Sequence, residues 1–351
     1  MQEPLRLGIL GCARIAGTFC DHVVSGPSPS RRVRVVAVAS RRTETAAAFA
    51  ATHGIGRHHG SYEALLADRE VAAVYIPLPN SLHAEWAIKA ARAGKHVLCE
   101  KPLALNRAEA VAMFDAARRA GVMLLEAYPW WFQPSTRDLV GLLHGGAIGR
   151  PRYVHAAFGF TLANPTPNIR LMPELGGGAL LDAGSYPLSL IRLVMGEAPV
   201  RVRAEATWAP TGVDIALAAT LHFADGRRAQ LECAMDVATH RRALIVGDAG
   251  VIETEYLNHT SPLAQGNGWG HLPNQLRVRR GTANSVPFET IPAATGSGFR
   301  FAAEAFARVV AARDVDAIER AAAASIDIAA TLEALAASAR QRREIEVETN
   351  R

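Results

Sequence analysis

The run Leu7-Gly-Ile-Leu-Gly-Cys-Ala-Arg-Ile-Ala16 decides how the first part of this chain folds. An apolar strand leads into a turn of small residues, and a helical pattern follows the turn. Gly11 allows a tight turn, and the small side chain of Ala13 lets backbone amides approach a pyrophosphate at the helix N-terminus. Because Ala13 stands where a glycine is usual, a tight turn without a ligand is the alternative interpretation.

The same order of strand and helix repeats through residues 1–126. Strands are predicted at Leu5–Leu10, Val33–Ala39, Ala73–Ile76, His96–Cys99 and Met123–Glu126. Helices are predicted at Arg14–Val24, Thr43–Thr52, Ser61–Ala67, His83–Ala93 and Arg107–Ala120. Short apolar strands that alternate with amphipathic helices are typical of a parallel sheet. We therefore predict a dinucleotide-binding Rossmann domain over residues 1–126.

The pattern changes in the second part of the chain. Between Val200 and about Phe288 the apolar residues recur with period two, which predicts an antiparallel sheet. Helices are predicted around this sheet at Ser135–Leu143, before Met195, and at Phe299–Arg313 and Ala317–Arg340. The predicted fold class is α/β, with an N-terminal Rossmann domain and a C-terminal α+β domain over residues 127–351. We expect the second domain, with its large and mainly antiparallel sheet, to bind substrate and to form oligomers.

Composition argues against several classes of function. Lys plus Arg number 38 against 33 Asp plus Glu, and the arginine clusters, such as Arg241-Arg242, are short and scattered. We interpret them as solvated surface and expect no nucleic-acid partner. We expect neither a leader nor a membrane-spanning run, and hence no membrane partner. The four cysteines lack metal-ligand and disulfide spacing, which indicates no metal site and a cytoplasmic location.

The end of the second predicted strand distinguishes two dinucleotides. An NAD site usually has an acid there to hold the ribose 2′-hydroxyl, whereas this chain reads Ser40-Arg41-Arg42. Guanidinium groups pair well with a 2′-phosphate, so the sequence favours NADP, with NAD still possible. A solvated pair of arginines at the start of a helix is the alternative.

Two further segments each follow a predicted strand and so lie at the carboxyl edge of the predicted parallel sheet. Pro77-Leu-Pro-Asn-Ser-Leu-His83 forms a loop that could line a cofactor, although a histidine such as His83 is more often structural. Glu100-Lys101-Pro102 ends the strand before it and places Lys101 at the carboxyl edge, where ligands bind in open α/β sheets. The proline biases Lys101 to an extended backbone. A lysine beside a nicotinamide suggests hydride transfer.

The second part contains Gly176-Gly-Gly-Ala-Leu-Leu-Asp-Ala-Gly-Ser-Tyr186. Asp182 and Tyr186 are four residues apart and would share one face of an unbroken helix. A phenol can exchange a proton with a substrate when a cation lies near it. Taken alone, a tyrosine here is more often a packing residue.

Together these segments resemble the Gfo/Idh/MocA family of nicotinamide-dependent sugar and cyclitol oxidoreductases, over nearly the whole chain. The likeness is greatest to the branch with glucose–fructose oxidoreductase, dimeric dihydrodiol dehydrogenase and aldose dehydrogenases. The resemblance implies that Lys101 polarises the reacting oxygen, Tyr186 exchanges the proton and Asp182 positions substrate hydroxyls. It implies cofactor contacts from Gly11, Ala13, Arg14, Ile15, Ser40, Arg41, Arg42, Pro77, Leu78, Asn80, His83, Glu100, Lys101 and Arg170. Trp131 departs from the family pattern, which often has arginine there.

Three functions fit these residues. The leading hypothesis is an NADP(H)-dependent oxidoreductase that acts on a sugar, polyol or keto-sugar. A cofactor-retaining enzyme that cleaves glycosides through transient oxidation is the second, and a dinucleotide-sensing protein without turnover is the third. The loops Asn164–Pro173 and Leu257–Pro273, with Trp269 and His271, are expected to shape the substrate pocket. We expect a homodimer or homotetramer formed through the C-terminal sheet.

Overall fold

The computed structural model describes residues 3–26, 28–163, 168–268 and 270–349. The chain divides into two compact units. The first contains residues up to Ala104, Ala108–Pro129 and Ser297–Ser325; the second contains Leu105–Arg107, Trp130–Gly296 and the chain from Ile326 onward.

The first unit is built on a parallel sheet. Its strands are β1 (Leu5–Leu10), β2 (Val33–Ala39), β3 (Arg57–His59), β4 (Ala73–Ile76), β5 (His96–Glu100) and β6 (Leu124–Ala127). Its helices include α1 (Arg14–Val23), α2 (Thr43–His53), α3 (Tyr62–Ala67), α4 (His83–Arg92) and α5 (Arg107–Ala120). The strand order is β3-β2-β1-β4-β5-β6, which is the order of a dinucleotide-binding Rossmann sheet. The order reverses between β1 and β4, so the carboxyl ends of these strands border the crevice where ligands bind in such sheets.

The second unit is built on a larger sheet. Its strands are β7 (Pro151–Thr161), β8 (Arg201–Trp208), β9 (Asp214–His222), β10 (Arg228–Ala234), β11 (Asp236–Gly247), β12 (Gly250–Thr254), β13 (Arg277–Arg280), β14 (Glu289–Thr290) and β15 (Ile345–Glu346). The strand order is β14-β13-β12-β11-β7-β10-β9-β8-β15. Neighbours pair antiparallel except β7 and β10, which are parallel. The predicted fold class, a Rossmann domain plus a mainly antiparallel sheet, is therefore confirmed.

The second unit also contains the helices α6 (Pro134–His144) and α7 (Ser185–Met195), and α7 packs on the sheet against β7 and β10. A π-helical turn, Leu180–Gly184, leads directly into α7. Shorter 3₁₀ turns lie at Asn80–Leu82, Pro129–Phe132, Ile169–Leu171 and Pro173–Leu175.

The helix α8 (Gly298–Ala312) belongs to the first unit, although the sequence analysis placed it in a domain spanning 127–351. The reason is packing. Phe299 and Phe306 are buried, and the Phe299 ring lies 6.0 Å from the Phe19 ring of α1. Sequence order alone cannot reveal that a late helix returns to the first sheet.

The last helix, α9 (Val315–Gln341), begins in the first unit and ends in the second. By length and composition alone it could cross a membrane, although more than half of its most apolar stretch is buried. This differs from the expectation that no run has such a length. A buried core helix has the same properties, and Asp327 of α9 accepts a 2.6 Å hydrogen bond from Arg192 of α7.

Candidate active site

The turn between β1 and α1 is tight and leaves the N-terminus of α1 open. Gly11 has a φ of +110°, and a Cβ atom there would lie 2.9 Å from a methyl group of Leu78. Ala13, which precedes α1, makes no side-chain capping hydrogen bond, and Ala13, Arg14 and Ile15 are exposed. The helix therefore presents backbone donors and its positive end to an anion. These residues fit a bound pyrophosphate.

The arginine pair follows β2 as the sequence predicts. The Ser40 backbone N–H donates to the His59 carbonyl, and the Ser40 hydroxyl accepts from the backbone N–H of Arg42 at 3.5 Å. The guanidinium of Arg42 donates to the Thr45 hydroxyl at 3.2 Å. Arg41 and Arg42 are exposed at the carboxyl end of β2. Two cations beside the β1 turn fit the phosphorylated ribose of NADP.

Lys101 follows directly after β5 and is half-buried, and its peptide bond to Pro102 is cis. The preceding residue, Glu100, is buried. Its carboxylate accepts a 2.6 Å hydrogen bond from the Tyr75 hydroxyl of β4 and a 3.3 Å bond from the backbone N–H of Lys101. Burial and the charge of Glu100 raise the pKa of Tyr75 well above its usual value. Tyr75 therefore stays a donor and fixes the Glu100 carboxylate behind the Lys101 backbone.

A second buried carboxyl, Glu126 of β6, supports the same strand end. It accepts from the Leu103 backbone N–H at 2.8 Å and from the Ser325 hydroxyl at 2.6 Å. Burial raises its pKa to about 7, while these bonds, the Tyr128 hydroxyl and the charge of Lys101 act to lower it. The carboxyl therefore holds the turn after Lys101 and interacts electrostatically with that lysine.

His83, predicted among the cofactor-contacting residues, faces the protein interior. It is fully buried, and its ring nitrogens each lie 2.8 Å from a carbonyl oxygen, one of Pro102 and one of Leu78. Burial lowers its pKa, which the two carbonyls raise less strongly. The ring thus ties the loop after β4 to the turn after β5, and this is the structural role that the sequence analysis weighed for it. The neighbouring Pro77 and Leu78 are also buried, and Asn80 is partly exposed.

In the second unit, Asp182 lies in the π-helical turn before α7. Its carboxylate accepts a 2.5 Å hydrogen bond from the guanidinium of Arg170. Arg170, expected to contact the cofactor, is thus an ion-pair partner of Asp182 within this unit. Asp214 of β9 also holds this turn, because its carboxylate accepts a hydrogen bond from the Leu180 backbone N–H at 2.6 Å. Burial raises the pKa of Asp214.

Tyr186 is in the first turn of α7 and is 7% exposed. Its ring meets the Phe158 ring edge-on at 5.4 Å. Its phenolic oxygen accepts a hydrogen bond from the Asn258 side-chain amide at 3.2 Å. The guanidinium of Arg241 lies 4.4 Å from the centre of the Tyr186 ring. Tyr186 is therefore held by specific polar partners, which a packing tyrosine does not require.

Sequence reasoning missed Arg241, Asn258 and Glu126. Arg241 was included in a solvated cluster, yet it is only partly exposed while Arg242 beside it is exposed. Alternation along β11 is a signal that could have separated the two, because neighbouring strand residues point to opposite faces. Asn258 lies in an irregular segment with no sequence pattern that marks it.

Residues 5–128 match the family model of an oxidoreductase family with an NAD-binding Rossmann fold, and residues 136–253 match the Gfo/Idh/MocA C-terminal domain. The chain belongs to the Gfo/Idh/MocA oxidoreductase family. The predicted family and the use of a nicotinamide dinucleotide are thereby confirmed, and the named relatives that follow confirm the oxidoreductase class acting on CH–OH groups.

Relatives of this Gfo/Idh/MocA chain include named enzymes. It is 34% identical over 336 residues to a D-xylose 1-dehydrogenase (NADP(+)) from Haloferax volcanii, an alignment that covers 95% of this chain and 97% of the relative. It is 38% identical over 250 residues to a trans-1,2-dihydrobenzene-1,2-diol dehydrogenase from Danio rerio, covering 71% and 74%. A 3-ketoreductase from Actinomadura kijaniata, crystallised with NADP and TDP-benzene, superposes with a TM-score of 0.79 at 31% identity, covering 95% and 98%.

The remaining predicted pocket residues that the structure describes lie in the second unit. The imidazole rings of His271 and His259 stack with centres 4.8 Å apart. Trp131, which departs from the family pattern, is partly exposed and lies 6.4 Å from the Trp130 ring. Trp269 and residues 164–167 of the first predicted loop lie outside the described residues.

Proposed function

We propose that this protein is an NADP(H)-dependent oxidoreductase that transfers hydride between nicotinamide and a carbon of a sugar, related polyol or keto-sugar. The observation that carries the proposal is Lys101 at the carboxyl end of β5 in a Rossmann sheet, backed by the buried carboxyls Glu100 and Glu126. Lys101 and Tyr186 are the proposed catalytic pair.

The proposed mechanism assigns one task to each side chain. When bound, NADP⁺ supplies the hydride acceptor. Lys101 binds and polarises the reacting oxygen through its ammonium group. Tyr186 takes the hydroxyl proton during oxidation and returns it during reduction, while Asn258 holds the phenolic oxygen. Asp182, oriented by Arg170, accepts hydrogen bonds from other substrate hydroxyls.

The substitution Lys101→Ala tests this assignment. It should remove most turnover and leave much of the NADPH affinity, because Lys101 acts on the substrate oxygen. Lys89→Ala is the matched control, since Lys89 is a partly exposed lysine of the same unit in an ion pair with Glu85. Turnover should be assayed on D-xylose, trans-1,2-dihydrobenzene-1,2-diol and keto-sugars, following the names of the relatives. Near-normal turnover in Lys101→Ala would make the assignment wrong.

The cofactor preference has its own test. Titration of protein fluorescence with NADPH and NADH in parallel should show tighter binding of NADPH. A double substitution, Arg41→Ala with Arg42→Ala, should weaken NADPH binding about 10-fold or more and leave NADH binding nearly unchanged, since only NADPH carries the 2′-phosphate. Equal binding of both cofactors by the unsubstituted protein would overturn the preference and keep the hydride chemistry. A protein that retains cofactor through purification without net turnover would instead support the glycoside-cleaving alternative.

We also propose a cytoplasmic homodimer or homotetramer. The face of the second sheet opposite α7 supports this, because side chains along β8 and β10 alternate between buried and exposed. A second copy of the chain would cover this open face.

A further inference from the structure

Arg241 lies among three aromatic rings of the second unit. Its guanidinium carbon is 4.0 Å from the centre of the Phe158 ring, 4.4 Å from that of Tyr186 and 5.4 Å from that of Tyr256. Arg241 and Phe158 are paired residues of β11 and β7, so the sheet register fixes the position of the cation. A guanidinium over ring faces is attracted by their negative π-surfaces, more strongly where water is excluded.

Asn258 connects this cation to the phenolic oxygen of Tyr186. Its side-chain carbonyl accepts from the guanidinium of Arg241 at 2.9 Å, and its amide nitrogen donates to the Tyr186 oxygen at 3.2 Å. A flipped amide would place its NH₂ group against the guanidinium, so Arg241 sets the orientation of Asn258. The phenolic oxygen therefore accepts a bond that becomes stronger when this oxygen is negatively charged.

The charge of Arg241 is not cancelled by its hydrogen-bond acceptors. In the part of the chain that the structure describes, these are the Asn258 carbonyl and the backbone carbonyl of Tyr256, both uncharged. The same cation lies near a second phenol, that of Tyr256. The charge of Arg241 acts to lower the pKa of Tyr256, against the stronger effect of burial, which raises it.

We propose that Arg241, through Asn258, is a positioning residue for Tyr186 that stabilises negative charge on its phenolic oxygen. The inference rests on the proposed function. During reduction, hydride from NADPH reduces the substrate carbonyl carbon and the O–H bond of Tyr186 breaks. The proton goes to the substrate oxygen, and the electron pair stays on the phenolic oxygen, where Arg241 and Asn258 compensate it.

The experiment compares Arg241→Met, Arg241→Lys and Arg242→Met. The assay is D-xylose oxidation with NADP⁺, or trans-1,2-dihydrobenzene-1,2-diol oxidation if D-xylose gives no turnover. Arg241→Met should lower kcat about 30-fold, raise the solvent deuterium isotope effect on kcat and leave the NADPH dissociation constant unchanged. Arg241→Lys should recover part of kcat, because it keeps the charge. Arg242→Met should match the unsubstituted enzyme, since Arg242 is an exposed arginine of the same strand.

A second variant tests whether the effect of Arg241→Met could come from lost packing alone. Asn258→Asp has nearly the same shape, but its carboxylate neutralises Arg241 and cannot donate to the phenol. It should lower kcat to a similar extent without a change in thermal unfolding. Normal kcat in both Arg241→Met and Asn258→Asp would overturn the inference, and so would equal losses in the Met and Lys variants. Tyr186→Phe separates the two proposals, because normal turnover in that variant would contradict the proposed function itself.

Discussion

Glu126 is a buried carboxyl whose ionisation the fold opposes. Its pKa is raised from the usual 4.5 to about 7, so the stability that its protonated form contributes is complete below pH 4.5 and is lost as the pH rises through 7. At 1.36 kcal/mol per pKa unit, this change amounts to about 3 kcal/mol. The free energy of unfolding of Glu126→Gln, relative to the unsubstituted protein, should therefore increase by about that amount between pH 4.5 and 8.

Urea unfolding at a series of pH values measures this difference. Glu319→Gln is the control, because Arg118 lowers the pKa of the half-exposed Glu319 carboxyl and its stabilising effect is lost only as the pH falls through that lowered value. Between pH 5 and 8 the control difference should stay constant. A constant difference for Glu126→Gln as well would show that burial does not raise the pKa of Glu126.

His83 contributes to stability in a different way, because its ring connects the loop after β4 to the turn after β5. His83→Ala should reduce the free energy of unfolding by about 3 kcal/mol or more, because it leaves a cavity and removes the ring N–H that donates to one of the buried carbonyls of Leu78 and Pro102. His58→Ala, at an exposed site of the same unit, should change it by less than about 0.5 kcal/mol. Chemical denaturation of both variants gives the comparison. Equal stability of the two would show that His83 does not hold the loops.

At the scale of elements, a substitution in the turn between β1 and α1 tests whether this turn binds the cofactor. Gly11→Ala forces a φ of +110° on a residue with a Cβ and brings that atom to 2.9 Å from Leu78. We expect a loss of about 2–4 kcal/mol in stability and a clear drop in NADPH affinity. Thermal unfolding and a fluorescence titration with NADPH measure the two effects.

Gly54→Ala is the matched control for that substitution. Gly54 has a φ of +65°, and no other group lies within 4 Å of an added Cβ. This variant should lose about 1 kcal/mol from backbone strain and bind NADPH normally. Normal NADPH binding by Gly11→Ala would show that the turn does not contact the cofactor.

The elements also show what sequence patterns can and cannot predict. The bounds of β1, β2 and β4 follow from the sequence because each is a short apolar run between turn residues. The strand β3 was missed because Arg57-His-His59 is polar and lies at the sheet edge. Lys101 and Tyr186 each lie in a recognisable sequence motif. Glu126, which interacts with Lys101, and Asn258, which bonds Tyr186, come from other segments of the chain. Their roles depend on tertiary contacts, which no local pattern encodes.

At the scale of the whole molecule, the proposed oligomer depends on the open face of the second sheet. Ala218 of β9 is exposed and is paired with Glu205 of β8 and with Glu232 of β10, both exposed on the same face. A small residue between two carboxylates lets another copy approach closely. Ala218→Glu would place three carboxylates in a row, at a cost of about 1 kcal/mol within one chain.

Covered by a second copy, the same three charges would lose water as well as repel each other, a much larger cost. We therefore expect Ala218→Glu to shift the protein to monomers in sedimentation velocity experiments without a large change in NADPH affinity. Ala51→Glu, at an exposed position of α2, should leave the oligomer intact. An unsubstituted protein that sediments as a monomer would contradict the oligomer proposal. An Ala218→Glu protein that stays oligomeric would contradict association of the copies through this part of the sheet.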